Sequence, residues 1–190
     1  MSINTYILIK NKISSVGRYL GESNMEFNKE KMKQLIHYIV HKCFNNPDFG
    51  KTVLYKLLYF SDFNHYEIYE TLLTGETYLK KPKGPVPSNF GLCYNELEDE
   101  GKINCNKVLV FNYYRHSYSS LKQPDISLLT NEELKVIDKV IKDLSHMNAS
   151  DISDYSHGDR PWRVAKYLHP LNPEFVFYRS DKYSVREYDE

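Results

Sequence analysis

Residues Lys51–Ser88 read KTVLYKLLYFSDFNHYEIYETLLTGETYLKKPKGPVPS, and this stretch decides the fold. Its first half, to about Tyr69, places Val53, Leu54, Tyr55, Leu57, Leu58, Tyr59, Phe60 and Phe63 on nearly every side of a helix. A helix apolar all round belongs in the middle of a domain, wrapped by other elements. The second half breaks that helix at a turn around Thr74-Gly75, and Thr71 to Leu79 is expected to fold on itself as a short hairpin. It ends at Gly84-Pro85-Val86-Pro87, where two prolines fix the backbone and remove two amide donors. No ordinary helix or central strand accommodates that segment.

Upstream, Asn28 is placed to cap a helix, and Met32, Leu35, Ile36, Ile39, Val40 and Cys43 recur at three-and-four spacing. Downstream, Ser88 is expected to cap a helix that buries Phe90, Cys93, Tyr94 and Leu97. Glu96–Glu100 forms its solvated flank, and Gly101 ends it. Ile103 to Phe111 alternates as a strand does, and the Tyr- and Ser-rich run 112–122 reads as a loop or irregular strand. Thr130-Asn131-Glu132-Glu133 is a capping box opening a helix through Leu134, Ile137, Val140 and Leu144. A short helical piece follows Ser150. Asp159 then caps Arg160-Pro161-Trp162, with the proline inside the first turn. Trp162, the single tryptophan, is predicted to plug the core, so that truncation to alanine costs roughly 3–5 kcal/mol. Phe175-Val176-Phe177 suggests a strand, and Ser184–Glu190 a frayed end.

The predicted fold is α+β and mainly helical: one domain with a buried central helix and a small antiparallel β element. Residues 1–25 form an N-terminal appendage, 26–168 the core, and 169–190 a C-terminal extension. The chain has 190 residues, enough to bury most of its apolar surface in a single core. Lys and Arg number 25, Asp and Glu 25, and this balance argues against a general nucleic-acid binder. Seventeen tyrosines favour a partner-binding surface. Three cysteines without CxxC spacing fit a reducing compartment, and no segment approaches the length of a membrane span, so a cytoplasmic location is expected.

Lys56-Leu57-Leu58-Tyr59-Phe60, Asp62, Thr74-Gly75-Glu76-Thr77-Tyr78 and Gly84-Pro85-Val86-Pro87-Ser88 together resemble the core of the Panacea domain. Gly101-Lys102-Ile103, Leu129-Thr130 with Glu133, Ser156-His157 and Pro161-Trp162 extend the resemblance, which covers about Lys31 to Tyr167. Ser61 departs from the alanine common in the family, and Pro82-Lys83 from an aromatic. The resemblance implies a mainly helical domain with a small β element. It implies an antitoxin of a bacterial or phage toxin–antitoxin system, which binds and neutralises a toxin encoded beside it. One family member is an adaptor that delivers its toxin to a protease, so a cellular protease is a further implied partner. Self-association stays open. The family is not an enzyme class and implies no catalytic residue, metal or cofactor. Lys56, Tyr59, Asp62, Gly75, Gly84, Pro85, Pro87, Gly101, His157, Pro161 and Trp162 carry over as framework.

Candidate partner contacts are Tyr6, Ile7 and Ile9 in the appendage, Lys83 in the basic loop Lys80–Pro87, and Tyr113, Tyr114 and Tyr118. Two other readings compete. Asp62 and His65 at i, i+3, joined by His157 and Asp159, would make a metal-dependent hydrolase or nuclease if the two segments met in space. Lys80, Lys81 and Lys83 would make a nucleic-acid contact that weakens steeply with salt.

Overall fold

The computed structural model describes residues 26–110 and 112–186. Helix α1, Lys29–Cys43, starts where the Asn28 side chain accepts from the Lys31 amide, and it buries the apolar face set by the three-and-four spacing. Helix α2, Lys51–Tyr69, runs through the centre with Val53, Leu54, Leu57, Leu58, Tyr59, Phe60 and Phe63 all buried. Helices α4 (Asn131–Leu144) and α5 (Ala149–Gly158), strand β2 (Gly84–Pro87) and the 3-10 helix Pro173–Tyr178 pack around it. The architecture is α+β and mainly helical, with two separate two-stranded antiparallel sheets.

The double-proline corner is one of those sheets. Strand β1, Tyr78–Lys81, pairs with β2 so that Tyr78 faces Pro87 and Lys80 faces Pro85. The backbones of Tyr78 and Lys80 bond in the other direction, to the returning chain: the Lys80 amide donates to the His169 carbonyl at 3.0 Å, and the Leu171 amide to the Tyr78 carbonyl at 2.8 Å. The prolines therefore sit opposite residues that need no amide from them, which is how a strand tolerates two prolines. The hairpin expected within Thr71–Leu79 is thus displaced by a few residues, because β1 needs β2 and segment 168–171 as partners.

Helix α3, Phe90–Asp99, closes in a Schellman turn: the Lys102 amide reaches the Leu97 carbonyl and the Gly101 amide the Glu98 carbonyl. Ser88 does not cap it. Its N-cap, Asn89, is held instead by Glu76, which accepts from both the Asn89 amide and its side chain. The acidic run ending α3 is a solvated flank, with Glu98, Asp99 and Glu100 exposed, and two of its members, Glu96 and Glu100, also take the ammonium groups of Lys29, Lys33 and Lys102. Strands β3 (Ile103–Val110) and β4 (Tyr113–Ser120) form a regular eight-residue ribbon, so the Tyr- and Ser-rich run is strand rather than loop. The capping box at Thr130 and Glu133 is present on α4.

Helix α6, Arg160–Val164, has no side-chain cap from Asp159, whose carboxylate is engaged elsewhere. Trp162 lies on α6 and is half-buried, packed against the edge of the core rather than plugging it. The segment Phe175-Val176-Phe177 is a 3-10 helix begun by Pro173, not a strand. Ser184, Val185 and Arg186 are bound to Glu67 and Glu70 on and beside α2, and so the near end of the expected frayed segment is docked. Residues 187–190 lie outside the described residues.

Candidate functional site

Gly84 opens the corner at φ +96°. A β-carbon there would sit 2.3 Å from Ser156 Oγ and 2.4 Å from Lys56 Cε, so only glycine lets α2, β2 and α5 meet. Lys56 is 1% exposed, and its ammonium donates to the Pro85 carbonyl at 3.0 Å. Among the described residues no carboxylate pairs with it. Burial drags its amine down to about 7.

Six residues on, Asp62 is fully buried and accepts three hydrogen bonds: from the Thr74 amide (2.7 Å), the Thr74 hydroxyl (2.8 Å) and the Tyr78 hydroxyl (2.7 Å). It fastens the turn after α2 onto the helix. Burial lifts its carboxyl to about 6, against the pull of those donors. Gly75, in the same turn, lets the Glu26 carbonyl approach to where a β-carbon would stand.

The third group is ionic. The Arg179 side chain has no exposed surface. Its Nε and Nη2 clamp Asp159 at 2.9 and 2.6 Å, and Nη1 reaches Glu67 at 2.7 Å and Asn64 at 2.8 Å. The Tyr59 hydroxyl completes Asp159 at 2.8 Å. A forked guanidinium held by two carboxylates satisfies buried charge that neither side could carry alone. No residue pattern marks Arg179 in the sequence: it stands among aromatics in a proline-rich tail.

These commitments dissolve the metal reading. Asp62 does not meet His65, whose Nδ1 donates to the Thr71 carbonyl at 2.7 Å. His157 stacks on Trp162 with ring centroids 4.2 Å apart, and burial holds the imidazole below its usual value. Asp159 belongs to Tyr59 and Arg179. Among the described residues no three His, Cys, Asp or Glu side chains group as metal ligands would. In the basic loop Lys80 is engaged: it lies 4.2 Å over the Trp162 ring and donates to the carbonyls of Ala165 and Arg163 that end α6. Lys83 alone of its predicted contacts is exposed.

The surface contrasts with this interior. The ribbon β3–β4 is anchored at its base by Ile103 and Tyr118, both buried, and rises to Val108, Leu109 and Tyr114, which are 41%, 60% and 68% exposed. Tyr118, predicted as a partner contact, packs edge-on against Phe49 and Tyr94 and offers no free surface. Tyr6, Ile7, Ile9 and the Tyr113 side chain lie outside the described residues.

Comparison with family models matches residues 54–163 to the family described as antitoxin SocA-like, Panacea domain. The chain belongs to the SocA-like antitoxin family. The matched span holds Lys56, Tyr59, Asp62, Gly75, the Gly84–Pro87 corner, Asp159 and Trp162, so the Panacea domain here is the corner and the helices it locks together. Arg179, which closes the ionic cluster, comes from beyond the matched span. No curated protein and no solved structure matches the chain. Among the described residues no helix is long and apolar enough to cross a membrane.

Proposed function

We propose that this chain neutralises a toxin encoded beside it by binding it directly, in the cytoplasm of a bacterium or infecting phage's host. The observation that carries the reading is the family match over 54–163. It is supported by the state of the interior: Lys56, Asp62, Glu67, Asp159 and Arg179 are buried and bonded within the chain, which leaves contact with other molecules to the surface. The proposed contacts are Tyr114 and its neighbours on the ribbon, Lys83, the Tyr113 side chain, and Tyr6, Ile7 and Ile9 of residues 1–25.

Co-expression with the adjacent gene tests it. The adjacent product alone should arrest growth, and this chain should restore it. A harmless neighbour, or arrest that this chain does not relieve, contradicts the proposal. Deleting residues 1–25 should weaken binding while leaving the melting temperature of the core unchanged.

A further inference from the structure

We infer that the outer half of the β3–β4 ribbon is a docking surface for an acidic, apolar segment of a partner polypeptide, taken up as an added strand. The inference rests on the neutralising role and names the kind of partner surface that role would meet.

Three features of the ribbon point the same way. First, it is incomplete as a sheet. Among the described residues no backbone hydrogen bond joins either outer edge, between Ile103 and Ser119, to the rest of the protein. A two-stranded ribbon is marginal by itself in water, and an unpaired edge is a template for another strand. No proline or bulge interrupts Ile103–Ser120, whose eight-pair register is continuous, and the charge that guards β3 against a like strand is the cation Lys107, which a carboxylate-bearing strand would neutralise.

Second, the tip is apolar on both faces. Leu109 faces Tyr114 across one side, and Val108 lies on the other. The face that buries Ile103 and Tyr118 at the base runs out to Leu109 and Tyr114 at the tip, following the two-residue period of a strand.

Third, the charge has one sign. Lys107 stands opposite His116 in the register and Val108 opposite Arg115, and no acidic residue occurs from Ile103 to Ser120. Like charges placed directly across a pair are unfavourable. Burial first, then the cations Lys51 and Lys107, hold the His116 imidazole below its usual value. Arg115 Nε is buried and has no acceptor among the described residues. Lys51, beside the ribbon at the start of α2, lies over the Tyr55 ring and has no carboxylate partner among the described residues. A strand added along β3, with a carboxylate and an apolar side chain two residues apart on one face, would supply backbone partners to that edge, cover Leu109 and set an anion beside Lys107 on the same face.

The test uses the full chain and three labelled probes of matched length: a peptide of about ten residues repeating glutamate–glutamate–valine–valine, so that each face carries both, its lysine–valine counterpart, and a thymidine oligonucleotide. The glutamate peptide should bind, and raising ionic strength from about 0.01 to about 0.15 M should weaken it. Lys107→Glu with Arg115→Glu should reduce that affinity by about tenfold or more. Lys107→Gln, at an exposed position, should reduce it less while leaving the fold untouched. Equal binding of the two peptides, preference for the oligonucleotide, or a Lys107→Gln protein indistinguishable from wild type overturns the inference. A chain that relieves toxicity yet ignores the glutamate peptide refutes this inference and keeps the neutralising role. A chain that binds the glutamate peptide through Lys107 but relieves no toxicity keeps this inference and removes that role.

Discussion

Around the GPVP corner, every buried charge except Lys56 has found an opposite charge or several donors inside the chain. Along the ribbon, cations and large apolar groups face water, with no carboxylate in reach on their own strands. The corner is therefore sensitive to substitution of its paired charged members. The outer half of the ribbon, beyond Ile103 and Tyr118, adds little to folding and is free to vary. This chain keeps the two kinds of region apart: a locked interior at the corner and an exposed, cationic tip on the ribbon.

The largest expected effect comes from breaking the corner. Arg179→Met leaves Asp159 and Glu67 as uncompensated buried carboxylates and should cost about 3–5 kcal/mol in a urea melt. A loss below about 1 kcal/mol would mean the cluster is hydrated rather than buried. Asp62→Ala orphans the Thr74 amide and the Thr74 and Tyr78 hydroxyls and should cost about 1–3 kcal/mol, since a buried donor without an acceptor carries its full desolvation penalty.

Trp162→Ala should cost about 2 kcal/mol, below the figure for a core plug, because the ring is only half-buried and gives up a stacked imidazole and the Lys80 ammonium. Calorimetry of that variant separates the two roles. Lys56 adds a pH signature. Its amine is held near 7 in the folded chain against about 10.5 unfolded, so over that window the unfolded chain binds the extra proton. Stability relative to Lys56→Met should then rise with pH above about 7, at up to about 1.4 kcal/mol per unit. A flat difference between pH 7 and pH 9 would show that the amine stays charged. Smallest of all, Leu109→Asp with Tyr114→Asp should move stability by no more than about 0.5 kcal/mol, because neither side chain is covered.

How far the sequence foretold this division follows from where each signal resides. Helix α2, the capping box at Thr130 and the caps at Asn28 and Gly101 are local patterns, and each is where the pattern puts it. The corner was visible as two prolines, but its pairing was not, since β1 takes one partner six residues on and another some ninety residues away at 168–171. Arg179 left no trace because a buried arginine and a surface arginine look alike until Glu67 and Asp159 are brought to it. Asp62 and His65 share a helix face in sequence, yet Thr74 and Thr71 claim them separately. Trp162 misled because its helix is short and lies at the edge of the core. Tyr114 and Tyr118 carry the same side chain on the same strand face. Only the height of each along the ribbon decides that Tyr118 is core and Tyr114 is surface.

The most direct test of this division is titration of the adjacent gene's product against wild-type protein and the Leu109→Asp, Tyr114→Asp double variant, with the melting temperature of each recorded alongside. The account predicts equal melting temperatures and an affinity lowered by about tenfold or more in the variant, as expected for loss of central apolar anchors. Unchanged affinity at unchanged stability would contradict it.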